Sequence, residues 1–155
     1  MASKTRARKP ARPRKKRPAA RRVPKRRQPE SLRLRQISPS ISCNDVEKSI
    51  AWYRDVLGFT VGERWEENGR LLGIQMKAGA CDLMLGQDDF AKGRDRQKGE
   101  AMRLWFSTTQ DLDDLAARVK AHHVPLDHDL QTLDWGDRAF ALTDPDGIKL
   151  TIIEA

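Results

Sequence analysis

The sequence predicts an α+β fold of two tandem βαβββ modules preceded by a disordered basic arm. Three observations carry that prediction. Residues 37–59 (ISPSISCNDVEKSIAWYRDVLGF) read as strand, turn, amphipathic helix and glycine stop. Glycine-containing turns then divide the following stretch into three strands. The whole pattern afterwards starts again: Gly69 and Gly136 lie 67 residues apart, as do Leu83 and Leu150, and Gly79 and Gly147 lie 68 apart. Such self-similarity is the mark of an internal repeat.

Residues 1–30 hold 14 Lys and Arg against a single acid, Glu30, a net charge of +13. They contain no aromatic residue and carry Pro10, Pro13, Pro18, Pro24 and Pro29. A segment that repels itself and breaks helices repeatedly has nothing to bury, so it is read as disordered. Its charge suits a polyanion, nucleic acid foremost, held by counterion release through Arg14, Lys15, Lys16, Arg17, Arg21, Arg22, Lys25, Arg26 and Arg27. The plainer alternative is a solubilising extension without a dedicated partner. The rest of the chain holds 16 Lys and Arg against 21 Asp and Glu, a net −5, so arm and domain are electrostatically opposite.

In the first unit, Ile37, Ile41 and Cys43 alternate with Ser38, Ser40 and Ser42, the period of a half-buried strand. Asn44 with Glu47 makes a capping-box pair, and Val46, Ile50, Tyr53 and Leu57 share one helical face. Gly58 supplies the left-handed stop. Strands are expected over 60–66, 70–76 and 81–85, with Asn68-Gly69 as the hairpin turn between the first two and Gly79 before the third. Residues 87–100 are polar, charged and aperiodic, and read as a linker.

The second unit opens with a strand over 102–107, where Leu104 and Phe106 oppose Arg103, Trp105 and Ser107. Asp111 caps a helix whose Leu112, Leu115, Ala116 and Val119 share a face, and Pro125 ends it. Strands follow over 126–132, 138–142 and 148–153, the last two joined by Asp144-Pro145-Asp146-Gly147. Those aspartates are read as turn formers that bond their own backbone, not as a catalytic pair. The folded domain is placed at 34–155, with modules at 34–86 and 101–154.

Cys43 and Cys81 are the only cysteines. Both fall in expected strands among apolar neighbours, and two buried, unpaired thiols suit a reducing, cytoplasmic setting. No run of 18 apolar residues exists to span a membrane, and no apolar segment follows the N-terminal charges as a secretory signal would require. A transit peptide is poorly supported, since the arm is Arg-rich yet proline-laden and short of serine.

Asn44-Asp45-Val46-Glu47-Lys48-Ser49 through Trp52-Tyr53-Arg54-Asp55-Val56-Leu57-Gly58-Phe59, together with Asp144-Pro145-Asp146-Gly147, resemble the vicinal oxygen chelate superfamily. That group holds glyoxalase I, bleomycin-resistance proteins, fosfomycin-resistance enzymes and extradiol dioxygenases. The resemblance covers residues 34–154. It implies that each module curls into a half-barrel with its helix on the convex side and a ligand cavity on the concave side, and that two chains pair as a homodimer.

Metal-dependent members place His or Gln on the first strand, Glu or His on the fourth, His on the fifth and Glu on the last. Carried over, these positions fall on Ser38, Arg103 and Thr151, with the fourth open between Asp82 and Met84; the repeat spacing favours Met84. Serine, methionine, arginine and threonine offer a divalent ion neither carboxylate nor imidazole, and arginine repels it. Neither metal nor cofactor is expected. His122, His123 and His128 lie off these positions, the first two reading as a helix-terminal pair favoured by the dipole.

The residues expected to face the cavity are Ser38, Ser40, Met84, Arg103, Trp105 and Thr151, with Trp65, Trp135 and Arg138 as rim candidates. Flat apolar surface with sparse polar groups is what a small-molecule pocket needs. Arg103 either binds an anionic or carbonyl group of a ligand or pairs with Asp82 and fills a vestigial cavity. Trp105 is the stronger pocket candidate; Trp65 and Trp135 read rather as ordinary core or interface residues. The function this favours is metal-free binding or sequestration of a small organic molecule, as in bleomycin-resistance proteins, with no catalytic residue assigned. The alternatives are a lyase, isomerase, transferase or dioxygenase acting on a small metabolite, and a nucleic-acid-associated protein acting through the arm.

Overall fold

A computed structural model describes residues 34–155; the arm expected over residues 1–30, with its nucleic-acid candidates, lies outside them. The described elements are β1 (Ser40–Cys43), α1 (Val46–Asp55), β2 (Thr60–Glu67), β3 (Arg70–Ala78), β4 (Cys81–Gln87), β5 (Arg103–Thr108), α2 (Leu112–Ala121), β6 (Leu126–Thr132), β7 (Arg138–Thr143) and β8 (Lys149–Glu154). They form two four-stranded sheets of the same design, ordered β1-β4-β3-β2 and β5-β8-β7-β6. In each, the first strand runs parallel to the last, and the other pairs are antiparallel. A parallel pair needs a crossover, which α1 and α2 provide. The repeat therefore folds as two βαβββ modules. No helix among the described residues is long and apolar enough to cross a membrane.

Alternation decides which face of each sheet is covered. Ile41, Cys43, Ile74, Met76, Leu83 and Leu85 are buried under α1; Phe140, Leu142, Leu150 and Ile152 are buried on the side of α2. These residues form one continuous core with Val46, Ile50 and Tyr53 of α1 and Leu112, Ala116 and Val119 of α2. An aromatic series crosses from one module to the other: Tyr53 meets Phe59 edge-on at 5.5 Å between ring centres, and Phe59 meets Phe106 at 5.9 Å. The opposite faces, which carry Ser40, Ser42, Arg103 and Trp105, remain open.

Three local expectations are corrected here. β1 begins only at Ser40, because Pro39 has no N–H to give a ladder, and Ile37 is 76% exposed instead of inward. The cap of α1 is Asp45, whose carboxylate accepts from the Lys48 amide at 3.1 Å. Asn44 instead donates its amide to Asp146 at 2.6 Å, and Glu47 pairs with Arg64 at 3.1 Å. Cys43 is fully buried, and desolvation pushes its thiol up to about 12. Cys81, however, is exposed, since it opens β4 at the mouth of the Gly79 turn opposite Ala78.

The turn before β8 does more than shape itself. Asp144 accepts from the amides of Asp146 (2.9 Å) and Ile148 (2.7 Å), as its turn role requires. Its other oxygen accepts from the Tyr53 hydroxyl of α1 at 2.8 Å, and Asp146 accepts from the Ser49 hydroxyl at 2.7 Å. Four of these groups are buried, so the second module grips the first through satisfied polar contacts inside the core. From the other direction, Arg118 of α2 lies over Gly58 and donates to the Asp55 carbonyl at 2.9 Å, satisfying the open end of α1.

The linker after β4 is irregular in backbone but not loose. Lys98 and Asp88 form an ion pair at 2.6 Å with side chains only 3% and 5% exposed, and Arg96 reaches the same carboxylate at 2.6 Å. These partners hold the Asp88 carboxyl well below the usual carboxylate range. Lys98 also donates to the Asn44 side chain at 2.6 Å, which ties the linker to the entrance of α1.

Candidate ligand-binding site

The second sheet builds a hollow on its open face. Parallel pairing sets Arg103 beside Lys149 and Trp105 beside Thr151, while Ala141 of β7 stands against Thr151 on the other side. Ala139 and Ala141 alternate with Phe140 and Leu142, so small side chains face the hollow while large ones fill the core. That leaves room for walls made by Trp105, His128, Gln131 and Leu133 around about 280 Å³. Trp105 and Trp135 are 52% and 63% exposed and stand 6.4 Å apart, tilted by 39°.

Arg103 donates from Nη1 to the hydroxyl oxygen of buried Thr151 at 3.1 Å. Among the described residues, its guanidinium has no carboxylate within ion-pair distance. A guanidinium has five N–H donors, and those not turned to Thr151 remain for a ligand. Lys149 is committed differently, pairing at 3.1 Å with Asp127, which also accepts from Thr143 at 2.7 Å. Burial pushes the Asp127 carboxyl up, but the Thr143 hydroxyl, Lys149 and the more distant charge of Arg103 outweigh it and hold the group low. The pairing of Arg103 with Asp82 considered from the sequence does not occur. Asp82 takes Gln36 at 2.6 Å and Lys77 at 3.3 Å on the other sheet.

Of the remaining candidates, Ser40 and Met84 lie on the first sheet, and Ser38 precedes its first strand. Ser40 is the register partner of Met84, as Trp105 is of Thr151. Gln36 donates to the Ser38 hydroxyl at 2.8 Å. Trp65 rests against Gly73, where a side-chain carbon would come within 3.3 Å of its ring. Arg103, Trp105 and Thr151 are thus brought together around one hollow, while Ser40 and Met84 are paired on the other sheet and Ser38 lies in the segment leading into it. No hydrogen bond joins the two groups among the described residues.

Two rim expectations change. Trp135 is not a core residue but an open partner of Trp105, held by a hydrogen bond from its indole N–H to Asp137 at 3.0 Å. Arg138 shares a face with Phe140 and Leu142 and pairs with Asp113 at 2.9 Å, so it belongs to the α2 side and not the rim. His128 and Gln131 were missed. The small residues at 139 and 141 were the signal that could have located them, since they mark where the sheet is hollowed.

The donor chemistry decides what this surface can do. Neither Ser38, Met84, Arg103 and Thr151 nor any group of three His, Cys, Asp or Glu among the described residues offers a divalent ion a fitting set. Among the described residues, His128 makes no hydrogen bond to a hydroxyl or thiol. The hollow presents the Trp105 ring, the Arg103 guanidinium, the His128 imidazole, the Gln131 amide and the Thr151 hydroxyl.

Comparison with known proteins adds the following. A family model described as Glyoxalase/Bleomycin resistance protein/Dioxygenase superfamily matches residues 33–152. No curated protein matches the sequence. Solved structures share the fold at low identity. TioX from Micromonospora sp. ML1 is 18% identical with a TM-score of 0.64, the match covering 77% of this chain and 97% of that one. TnmS3, an antibiotic binding protein from Streptomyces sp. CB03234, is 20% identical with a TM-score of 0.62, over 81% and 98%. Lactoylglutathione lyase from Agrobacterium tumefaciens is 21% identical with a TM-score of 0.59, over 79% and 96%.

Proposed function

The chain belongs to the glyoxalase/bleomycin resistance protein/dioxygenase superfamily, and from that premise we propose that it binds a small organic molecule on the open face of its second sheet, without a metal. The observation that carries this is the open Trp105–Trp135 pair set beside a guanidinium that has no carboxylate within ion-pair distance among the described residues. Fold neighbours include both an antibiotic binding protein and a lyase, so likeness of fold does not choose between binding and turnover. The side chains favour binding. Compounds found by equilibrium dialysis against the full chain are expected to lose about tenfold in affinity in Trp105→Ala, the scale of one aromatic contact. Affinity unchanged in that variant would place the site elsewhere.

In this reading Ser38, Ser40 and Met84 join the site from a second copy of the chain, whose first sheet covers the open second sheet as a homodimer. The exposure of Trp65, Trp105 and Trp135 supports it. Sedimentation velocity at micromolar concentration is expected to give twice the chain mass; a monomer with undiminished ligand affinity would confine the site to Arg103, Trp105 and Thr151.

A further inference from the structure

A second cavity, of about 500 Å³, lies next to the tryptophan hollow. It is bounded by the end of the linker, including Lys98, Gly99 and Met102, and by Gly147 and Lys149 at the start of β8. Arg103 is the one lining residue that the two cavities share. Its side chain therefore stands as a divide, with an aromatic chamber on one side and a polar one on the other.

The charges of the polar chamber are mostly spoken for. Lys98 is engaged by Asp88 and Asn44, Asp146 by Asn44 and Ser49, and Lys149 by Asp127. Among the described residues, Arg103 has only the Thr151 hydroxyl. A guanidinium so placed is completed by an anion that takes two of its N–H groups at once, as a carboxylate or phosphate oxygen pair does. Glu100 lines the same chamber, which favours a ligand with one negative charge over one with several.

We infer that the site takes a two-part ligand: a flat aromatic body in the Trp105 hollow, joined by a short spacer to a single anionic group that crosses Arg103 into the linker cavity. The inference rests on the binding reading above and adds to it the class of molecule. Neither chamber alone asks for both parts, but their junction at one unpaired cation does.

The test uses the full chain and two probes that share the aromatic body and spacer and differ in the head group, the anionic 4-(2-naphthyl)butanoate and the neutral 4-(2-naphthyl)butanol, measured by titration calorimetry. The acid is expected to bind about tenfold tighter than the alcohol, the scale of a charge-assisted hydrogen bond. In Arg103→Gln the ratio of the two affinities should fall to about one. In Trp105→Ala both probes should weaken together with the ratio preserved. Equal binding of acid and alcohol by the unaltered chain, or a preference that survives Arg103→Gln, would overturn the two-part assignment while leaving the aromatic site standing. Probes insensitive to Trp105→Ala would remove the aromatic site, and the assignment with it.

Discussion

Asp144→Ala is expected to destabilise the domain by about 3 kcal/mol, well above what an exposed turn aspartate would cost. The variant strips the acceptor from the Tyr53 hydroxyl and from the amides of Asp146 and Ile148, and a buried donor left unmade costs roughly 1–3 kcal/mol. Chemical denaturation should show the loss as a lower midpoint with an unchanged slope. Its pH dependence is equally specific. Burial raises the Asp144 carboxyl above its ordinary value despite the three donors. A raised carboxyl contributes most below its unfolded value and loses that contribution as pH rises through the folded one. The gap between the natural chain and Asp144→Ala should therefore narrow on going from acid towards neutral pH. Asp88 works with the opposite sign, since Lys98 and Arg96 hold it low and its contribution disappears as pH falls. A gap that widens with pH would show that Asp144 is stabilised as the anion.

Gly99→Ala is the second large effect, about 2–5 kcal/mol. Gly99 sits at φ +62, where a side chain costs roughly 1–2 kcal/mol. The added carbon would also run into the δ-methyl of Ile148. Ile148 is almost fully buried and has nowhere to turn, so overpacking adds about 1–3 kcal/mol. Gly69→Ala is the control: its φ of +74 is similar, but the space around it is empty. Thermal unfolding should separate the two. If Gly69→Ala costs as much, the linker is not seated on Ile148 as described.

Much of the architecture was legible because it is periodic. Alternation at 40–43, 103–107 and 149–153 assigns both faces of three strands, and the 67-residue spacing matches Leu83 with Leu150 in equivalent strands. What could not be read was decided by distant residues. Asn44 and Asp45 are equally good local caps, and the choice falls to Asp146, 102 positions away, which takes the Asn44 amide. The linker looked free because nothing in its charged, aperiodic sequence marks Lys98 and Asp88 as a buried pair or Asn44, 54 positions away from Lys98, as a further partner. Arg138 is different: counting two steps to Phe140 and four to Leu142 already put it on the covered face. For the candidate site, the sequence supplied Arg103, Trp105 and Thr151 from strand parity. Strand parity could not supply His128, because β6 changes register between Leu126 and His128; the small residues Ala139 and Ala141 are the signal that points to that wall.

The grip of the β7–β8 turn on α1 makes the two modules unequal partners. Its carboxylates have no counterpart in the matching turn of the first module, Ala78-Gly79-Ala80, and α2 (LDDLAARVKA) carries no hydroxyl to receive one. Two first halves would face each other with hydroxyls and no acceptor in that turn, and two second halves with acceptors and no hydroxyl. The halves are alike in topology and unlike in this contact, to which each brings one side of the bond.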